Sequence, residues 1–275
     1  MKTHLLQQLY QQYHIANLTF GSIHDKLGDV YEDYCVSLLE NKQILEKLKS
    51  NNRPTDLDSD VFCRLLYVNS ITNFNSISSI QATTQVPHRS TGGLPKTDII
   101  ATINYVDRTQ SILCISCKQS TVAKVALAEF DVDTICREMG INNPRLYQLL
   151  LKHQVDCSAK NFSTNEKNEL NTLMRPIARD FVRWVITGSP KRNPSEVCYP
   201  TSLIKFELTP PKDRYNICVC NGDFDLVTFN TYTIEGYIDS IMYNRNGTIK
   251  SAGFGTGLSW TYATGSKGIK MQFKG

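Results

Sequence analysis

The chain has 275 residues, of which 41% are hydrophobic and 20% charged, with a formal net charge of +4. This balance excludes a disordered chain, which buries too little apolar surface to offset the entropy of ordering. The absence of any run of about 18 apolar residues excludes a membrane-spanning helix. Nine cysteines, an odd number, are scattered through predicted strands and helices with no apolar signal core ahead of them, and they read as reduced thiols of a cytoplasmic protein.

The first predicted helix covers residues 2–14, where Leu5, Leu6, Leu9, Tyr10 and Tyr13 recur at helical spacing. One longer helix is expected over 23–49, with Leu27, Val30, Tyr31, Tyr34, Leu38, Leu39, Ile44, Leu45 and Leu48 on one side and Glu32 near its middle. The polar stretch 50–56 ends it. A short helix follows over 60–68. Residues 69–90 are rich in Ser, Thr and Asn and read as loop with one short strand near 77–82. Two strands come next, over 97–106 and 111–119, joined by the polar turn Asp107-Arg108-Thr109-Gln110, which is a hairpin pattern.

Beyond the hairpin, helices are expected over 127–139, ended by Gly140, and over 143–154, with Pro144 in the first turn. A third, over 165–187, starts at a Ser163 or Thr164 cap with Glu166 at capping-box spacing from Ser163, and Pro176 breaks or kinks it. A basic loop over 188–200 leads to strands over 203–208 and 215–220, separated by Pro210-Pro211. The segment up to Tyr243 is mixed, and the glycine-rich tail from Gly253 reads as irregular or short-stranded. With no repeat and no domain boundary evident, residues 1–275 read as a single domain. Its tail, about 245–275, has five basic residues (Arg245, Lys250, Lys267, Lys270, Lys274) and no acidic one, interleaved with Phe254, Trp260, Tyr262 and Phe273. That composition suits a polyanion such as nucleic acid; the alternative is a solvated surface face.

The predicted hairpin carries the most chemistry. Gly92 and Gly93, which permit close backbone approach to a ligand, precede Asp98 at the start of one strand, and Lys118 ends the next. A carboxylate and an ammonium thereby meet at one sheet edge, a pair able to hold a divalent metal and a water beside a phosphate. Ser116 and Lys118 share a strand face, with the Cys117 backbone carbonyl between them. Magnesium fits one carboxylate plus a carbonyl because it keeps several waters, and Lys118 would orient or help deprotonate the attacking water. Surface hairpins also carry Asp and Lys for no such reason. Cys114 and Cys117, three apart in a strand, face opposite sides and read as buried thiols rather than zinc ligands, and Cys218 and Cys220 also lie in a β-patterned run.

Several stretches together identify a family resemblance. They are Lys26-Leu27-Gly28 with Tyr31-Glu32 and Tyr34; Gly92-Gly93 with Pro95-Lys96-Thr97-Asp98; Ala128 to Val132 with Thr134-Ile135-Cys136; Lys152-His153-Gln154 with Asp156 and Ser158-Ala159-Lys160; and Phe181 with Arg183-Trp184. The tail is the most specific, from Gly253 through Trp260-Thr261-Tyr262-Ala263 and Gly265-Ser266-Lys267 to Met271-Gln272-Phe273-Lys274-Gly275. The chain resembles the MspI-type family of type II restriction endonucleases, of the PD-(D/E)xK nuclease superfamily; residues 50–90 and 187–250 match poorly. The resemblance implies an α/β fold with a mixed central β-sheet flanked by helices. It implies Mg2+-dependent hydrolysis of double-stranded DNA at CCGG (C^CGG) with 5′-phosphate ends. It also implies a cognate DNA methyltransferase in the same system, without a stable complex, and a monomer or weak dimer.

Carried over residue by residue, Asp98 is the metal-binding aspartate and Lys118 the catalytic lysine. Ser116 stands at the middle position, usually acidic and an asparagine in the MspI type, so the second side-chain ligand is in question. Glu32 matches a family glutamate that approaches the metal, alongside the Cys117 carbonyl. DNA contacts are implied for Thr261, Tyr262 and Thr264 (the last in place of a serine) and for Ala126, also in place of a serine. Gln272 and Lys274 would reach base edges, and Glu129, on the helix expected after the hairpin, would accept from cytosine N4. Lys124, Lys152 and Lys267 would hold phosphates. Two alternatives stay open: within nucleases, the same scaffold with a different recognition sequence, and, from another class, a DNA-binding protein impaired in catalysis at Ser116.

Overall fold

The computed structural model describes residues 3–18, 20–51, 53–89, 94–191, 199–209, 225–265 and 268–275. In chain order the described helices are α1 (His4–Gln12), α2 (Phe20–Leu39), α3 (Lys42–Asn51), α4 (Leu57–Tyr67), α5 (Val132–Met139), α6 (Pro144–Val155), α7 (Thr164–Met174), α8 (Ala178–Thr187) and α9 (Ile234–Met242). The strands are β1 (Ile77–Thr83), β2 (Ile99–Tyr105), β3 (Gln110–Ser120), β4 (Ala126–Phe130), β5 (Ser202–Thr209), β6 (Asp225–Thr233), β7 (Ser259–Gly265) and β8 (Gly268–Lys274). They fall into two compact units, Met1–Ala123 with Val197–Thr233, and Lys124–Glu196 with Ile234–Gly275.

The first unit is a five-stranded mixed sheet in the order β1-β2-β3-β5-β6, flanked by helices. β1, β2 and β3 form an antiparallel meander, β3 pairs parallel with β5, and β6 returns antiparallel. Leu113 to Cys117 of β3 are all buried, as expected of a strand with neighbours on both sides and covered faces. α2 lies against this strand. Its Tyr31 and Tyr34 pack on Phe206 of β5, with ring centroids 4.7 and 6.1 Å apart, and the Tyr31 hydroxyl meets that of Tyr10 at 3.0 Å. Satisfying those hydroxyls lets the large rings sit in the core without stranding a polar atom.

The second unit is built on a three-stranded antiparallel sheet, β4-β8-β7, with α5 to α9. Its core joins Phe181 and Trp184 of α8 to Phe130, Trp260 and Phe273 on the sheet; Phe130 and Trp184 stack at 4.2 Å.

Local capping chemistry explains where several expected elements divide. The helix expected over 23–49 is two: Asn41 Oδ1 accepts from the backbone N–H groups of Gln43 and Ile44 at 3.0 and 3.1 Å and so caps a new helix, α3, although the leucine spacing runs on. α4 starts ahead of its expected bound because Asp56 and Ser59 form a reciprocal capping box. The Ser163–Glu166 box starts α7 as expected, and Pro176 sits in a 3-10 turn between α7 and α8. The helix expected over 127–139 is wrong in its first half. Residues 126–130 form β4, paired to β8, and only at Asp131, whose side chain accepts from Thr134 N at 2.7 Å, does α5 begin. The tail is more regular than expected, since β7 and β8 form a seven-residue-per-strand hairpin. β6 was not expected. The strand expected over 215–220, Cys218 and Cys220, the glycines Gly92 and Gly93, and Lys267 lie outside the described residues. Among the described residues no helix is long and apolar enough to cross a membrane.

Candidate active site and nucleic-acid face

Asp98 lies one residue before β2, and its N–H donates to the Ile115 carbonyl at 2.9 Å, which ties it into the sheet opposite β3. Ile115 and Cys117 turn into the core shared with α2, so Ser116 and Lys118 point the other way. Three donors converge on Asp98 Oδ2: the Ser116 hydroxyl at 3.0 Å, the Cys117 N–H at 2.7 Å and the Lys118 ammonium at 2.7 Å. The same ammonium donates to the Cys117 carbonyl at 2.9 Å. One cation is thus held by a carboxylate oxygen and a backbone carbonyl, the two oxygens that the sequence nominates for a metal. Asp98 and Lys118 are 22% and 19% exposed, so their pairing is only partly screened by water.

Burial opposes the charge on Lys118, but the Asp98 carboxylate outweighs it and the net shift of the lysine is upward. Glu32, on α2, is the third ionisable partner. Burial first, and then the neighbouring Asp98 charge, push its carboxyl up to about 8 despite the attraction of Lys118. Glu32 therefore holds a proton at neutral pH. Cys114 and Cys117 are buried free thiols, and the raised pKa of Cys117, hydrogen-bonded to Cys35 and buried, suits no thiolate ligand. The donors at this site are hard oxygens. Among the described residues no cluster of three His, Cys, Asp or Glu side chains converges in metal-holding geometry.

In the second unit, alternation along β4, β8 and β7 sorts the tail residues by face. Rows built from Ala128, Phe273 and Trp260, and from Phe130, Met271 and Tyr262, alternate with rows built from Ala126, Lys274 and Ser259, and from Glu129, Gln272 and Thr261. The first two rows hold the buried Phe273, Met271 and Ala128. The other two, polar apart from Ala126, are half-buried or exposed. Glu129 Oε1 accepts from the Gln272 amide nitrogen, and the Thr261 hydroxyl donates to Gln272 Oε1 at 3.1 Å. Lys124 reaches this face, its ammonium 2.6 Å from the Ser259 hydroxyl. Thr264 lies opposite Ile269 in the hairpin register.

Tyr262 and Lys152 are placed differently from those residues. Tyr262 turns toward α6, where its hydroxyl meets His153 Nδ1. Lys152 is committed to Glu166, at 2.7 Å, and lies over the Phe162 ring.

Two residues carry roles that the sequence did not suggest. His153 is 4% exposed and boxed by Phe162, Phe254, Trp260 and Tyr262; burial drives its pKa down to about 4, so it is neutral. Beyond its place in the family-matching stretch Lys152-His153-Gln154, its sequence signal is the apolar stripe Leu146, Leu149, Leu150, His153, which reads as core. Lys205 lies directly across from Lys118 in the parallel β3–β5 register, buried, and donates to the Ala123 carbonyl at 2.6 Å. Nothing short of the strand pairing could bring the two lysines side by side.

A family model described as restriction endonuclease MspI matches residues 6–275. The chain belongs to the MspI restriction endonuclease family. The type II restriction enzyme MspI of a Moraxella species is 32% identical over 278 aligned positions, covering 100% of both chains. The crystal structure of restriction endonuclease MspI in complex with its cognate DNA superposes with a TM-score of 0.83, again covering 100% of each chain at 32% identity. The sequence resemblance and the mixed α/β architecture therefore agree, and the enzyme is a site-specific nuclease of the MspI type.

Proposed function

We propose that this enzyme hydrolyses double-stranded DNA within CCGG, between the two cytosines, leaving 5′-phosphate ends, and that it uses Mg2+. The observation that carries the catalytic reading is the convergence of Asp98 Oδ2 and the Cys117 carbonyl on one cation, the Lys118 ammonium. Oxygens that hold an ammonium in that way also suit a hard divalent ion. Asp98 and Cys117 O would hold it, with the Ser116 hydroxyl and Glu32 at its margin; a single close carboxylate suits an ion that keeps most of its water. Bound there, the ion would polarise a phosphoryl oxygen and acidify its water.

The chain's own groups account for the remaining roles. Lys118 keeps its proton, which favours donation over general-base work: it orients the attacking water and stabilises charge on the phosphate in the transition state. Asp98 fixes the lysine through their 2.7 Å contact. Ser116 cannot supply a second carboxylate, but its hydroxyl orients the one present. The polar rows of the β4-β8-β7 sheet, with Glu129, Gln272, Thr261, Lys274 and Lys124, supply a face for the grooves and phosphates of DNA, since a β-ribbon fits the major groove.

The test is a plasmid digest with Mg2+, with fragment ends sequenced, on the wild type and on Asp98→Ala and Lys118→Ala. Discrete fragments whose sequenced ends map to cuts between the two cytosines of CCGG support the proposal in full. Discrete fragments at another sequence support the same scaffold with altered reading, for which the alanine at position 126 and the threonine at position 264 are the first suspects. A gel shift with no cutting by the wild type points to a binding protein. Cleavage retained in either variant overturns the catalytic assignment, whereas loss of cleavage with binding intact supports it.

A further inference from the structure

We propose that Glu129 and Thr261 are positioning residues that lock the Gln272 amide in one orientation, so that β4, β8 and β7 present a single fixed row of donors and acceptors to a base edge. This inference rests on the reading of the sheet as a DNA-binding face. Glu129, Gln272 and Thr261 are partners in the same register row, one from each strand. Strand slippage would carry the buried Phe273 and Met271 onto the solvent face, so the register, and with it the row, is fixed by the core beneath.

The direction of the hydrogen bonds follows from chemistry. A glutamine amide offers a donor and an acceptor end that differ little in shape, so its orientation must be set by its neighbours. The Glu129 carboxylate only accepts, and it therefore takes the Gln272 –NH2 group. The carbonyl end is left for β7, where the single Thr261 hydroxyl proton is shared between Gln272 Oε1, the nearer acceptor at 3.1 Å, and the Gln272 backbone carbonyl at 3.3 Å. Flipping the amide would bring its oxygen against the carboxylate oxygen, two acceptors with no proton between them. The row is thus polarised from Thr261 through Gln272 to Glu129. Gln272 and Glu129 keep unused capacity, namely the second amide N–H and the second carboxylate oxygen, with which a base edge can pair. Because each base pair shows its own donor and acceptor pattern in the major groove, an amide held one way discriminates while one free to flip accepts either pattern. Lys274 and the Lys124–Ser259 contact, in the adjacent polar row, bring positive charge beside this reader.

The experiment compares kcat/KM on duplexes carrying the site defined by the digest with kcat/KM on duplexes altered at one base pair. The variants are Gln272→Ala, Thr261→Val, Thr261→Ser, Glu129→Gln and the double variant Thr261→Val/Gln272→Ala, with thermal melts confirming folding. Thr261→Val and Glu129→Gln are each expected to lower the cognate-to-altered ratio roughly tenfold, the scale of one lost bidentate base contact. Thr261→Ser, which keeps the hydroxyl, should restore most of the ratio, and the double variant should be no worse than Gln272→Ala alone. A full ratio in Thr261→Val beside a reduced one in Gln272→Ala overturns the locking role. So does a double variant in which the two losses multiply. A full ratio in Gln272→Ala instead overturns the premise that this row reads DNA, while leaving the Asp98–Lys118 assignment standing.

Discussion

Protonation of His153 is the most quantitative consequence of the structure. The imidazole is buried in an aromatic box against the Tyr262 hydroxyl, and its pKa falls from 6.5 to about 4 because burial penalises the charged form. The unfolded chain binds this proton below pH 6.5 and the folded one only below about 4, so the unfolded state binds more protons in between and stability drops as the pH falls through that window. A shift of that size corresponds to roughly 3 kcal/mol when fully expressed, of which about 2 kcal/mol is lost between pH 7.5 and pH 5. The check is urea denaturation of the wild type and of His153→Gln at pH 7.5, 6 and 5. Glutamine can still bond Tyr262 but does not titrate, and other groups cancel in the comparison. The wild type should lose about 2 kcal/mol more than the variant over this range. Parallel pH profiles would refute the account of a neutral, desolvated histidine.

Other consequences follow from single contacts. Lys118→Met removes the ammonium that occupies the Asp98 and Cys117 oxygens, so calorimetry should show divalent-cation binding, with Ca2+ as probe, strengthened several-fold while cleavage disappears; unchanged or weaker binding would show that the lysine does not compete for those oxygens. Gly257 has φ +76° and an added Cβ would lie 2.0 Å from the Ile241 carbonyl oxygen, so Gly257→Ala should cost roughly 2–5 kcal/mol by denaturant titration. Ser163→Ala breaks one half of the capping box of α7 and should lower stability by about 1 kcal/mol, read as a shift in the denaturation midpoint with an unchanged slope.

Features set by neighbours in the chain were legible in the sequence. Asp98 and Lys118 belong to a tight hairpin, so two-residue alternation and a short turn were enough to bring them together. The α7 capping box, the proline at the start of α6 and the Gly140 stop of α5 likewise depend on hydrogen bonds and dihedrals within a few residues. What the tertiary structure decided depends on distant pairing. Residues 126–130, apolar and helix-compatible, became a strand because β8, at the far end of the chain, offers a partner, and this pairing alone moves Glu129 from a helix onto a sheet face beside Gln272. The Glu32 carboxyl is driven up by its burial against Asp98, a charge on another element, and His153 by an aromatic box drawn from the tail. Neither environment has a local signature, because desolvation is a property of everything packed around a group and not of the residues beside it in sequence. The sequence by itself determined which residues meet on the central hairpin; the fold decided their protonation and, in the second unit, the face on which the polar rows of the β4-β8-β7 sheet are displayed.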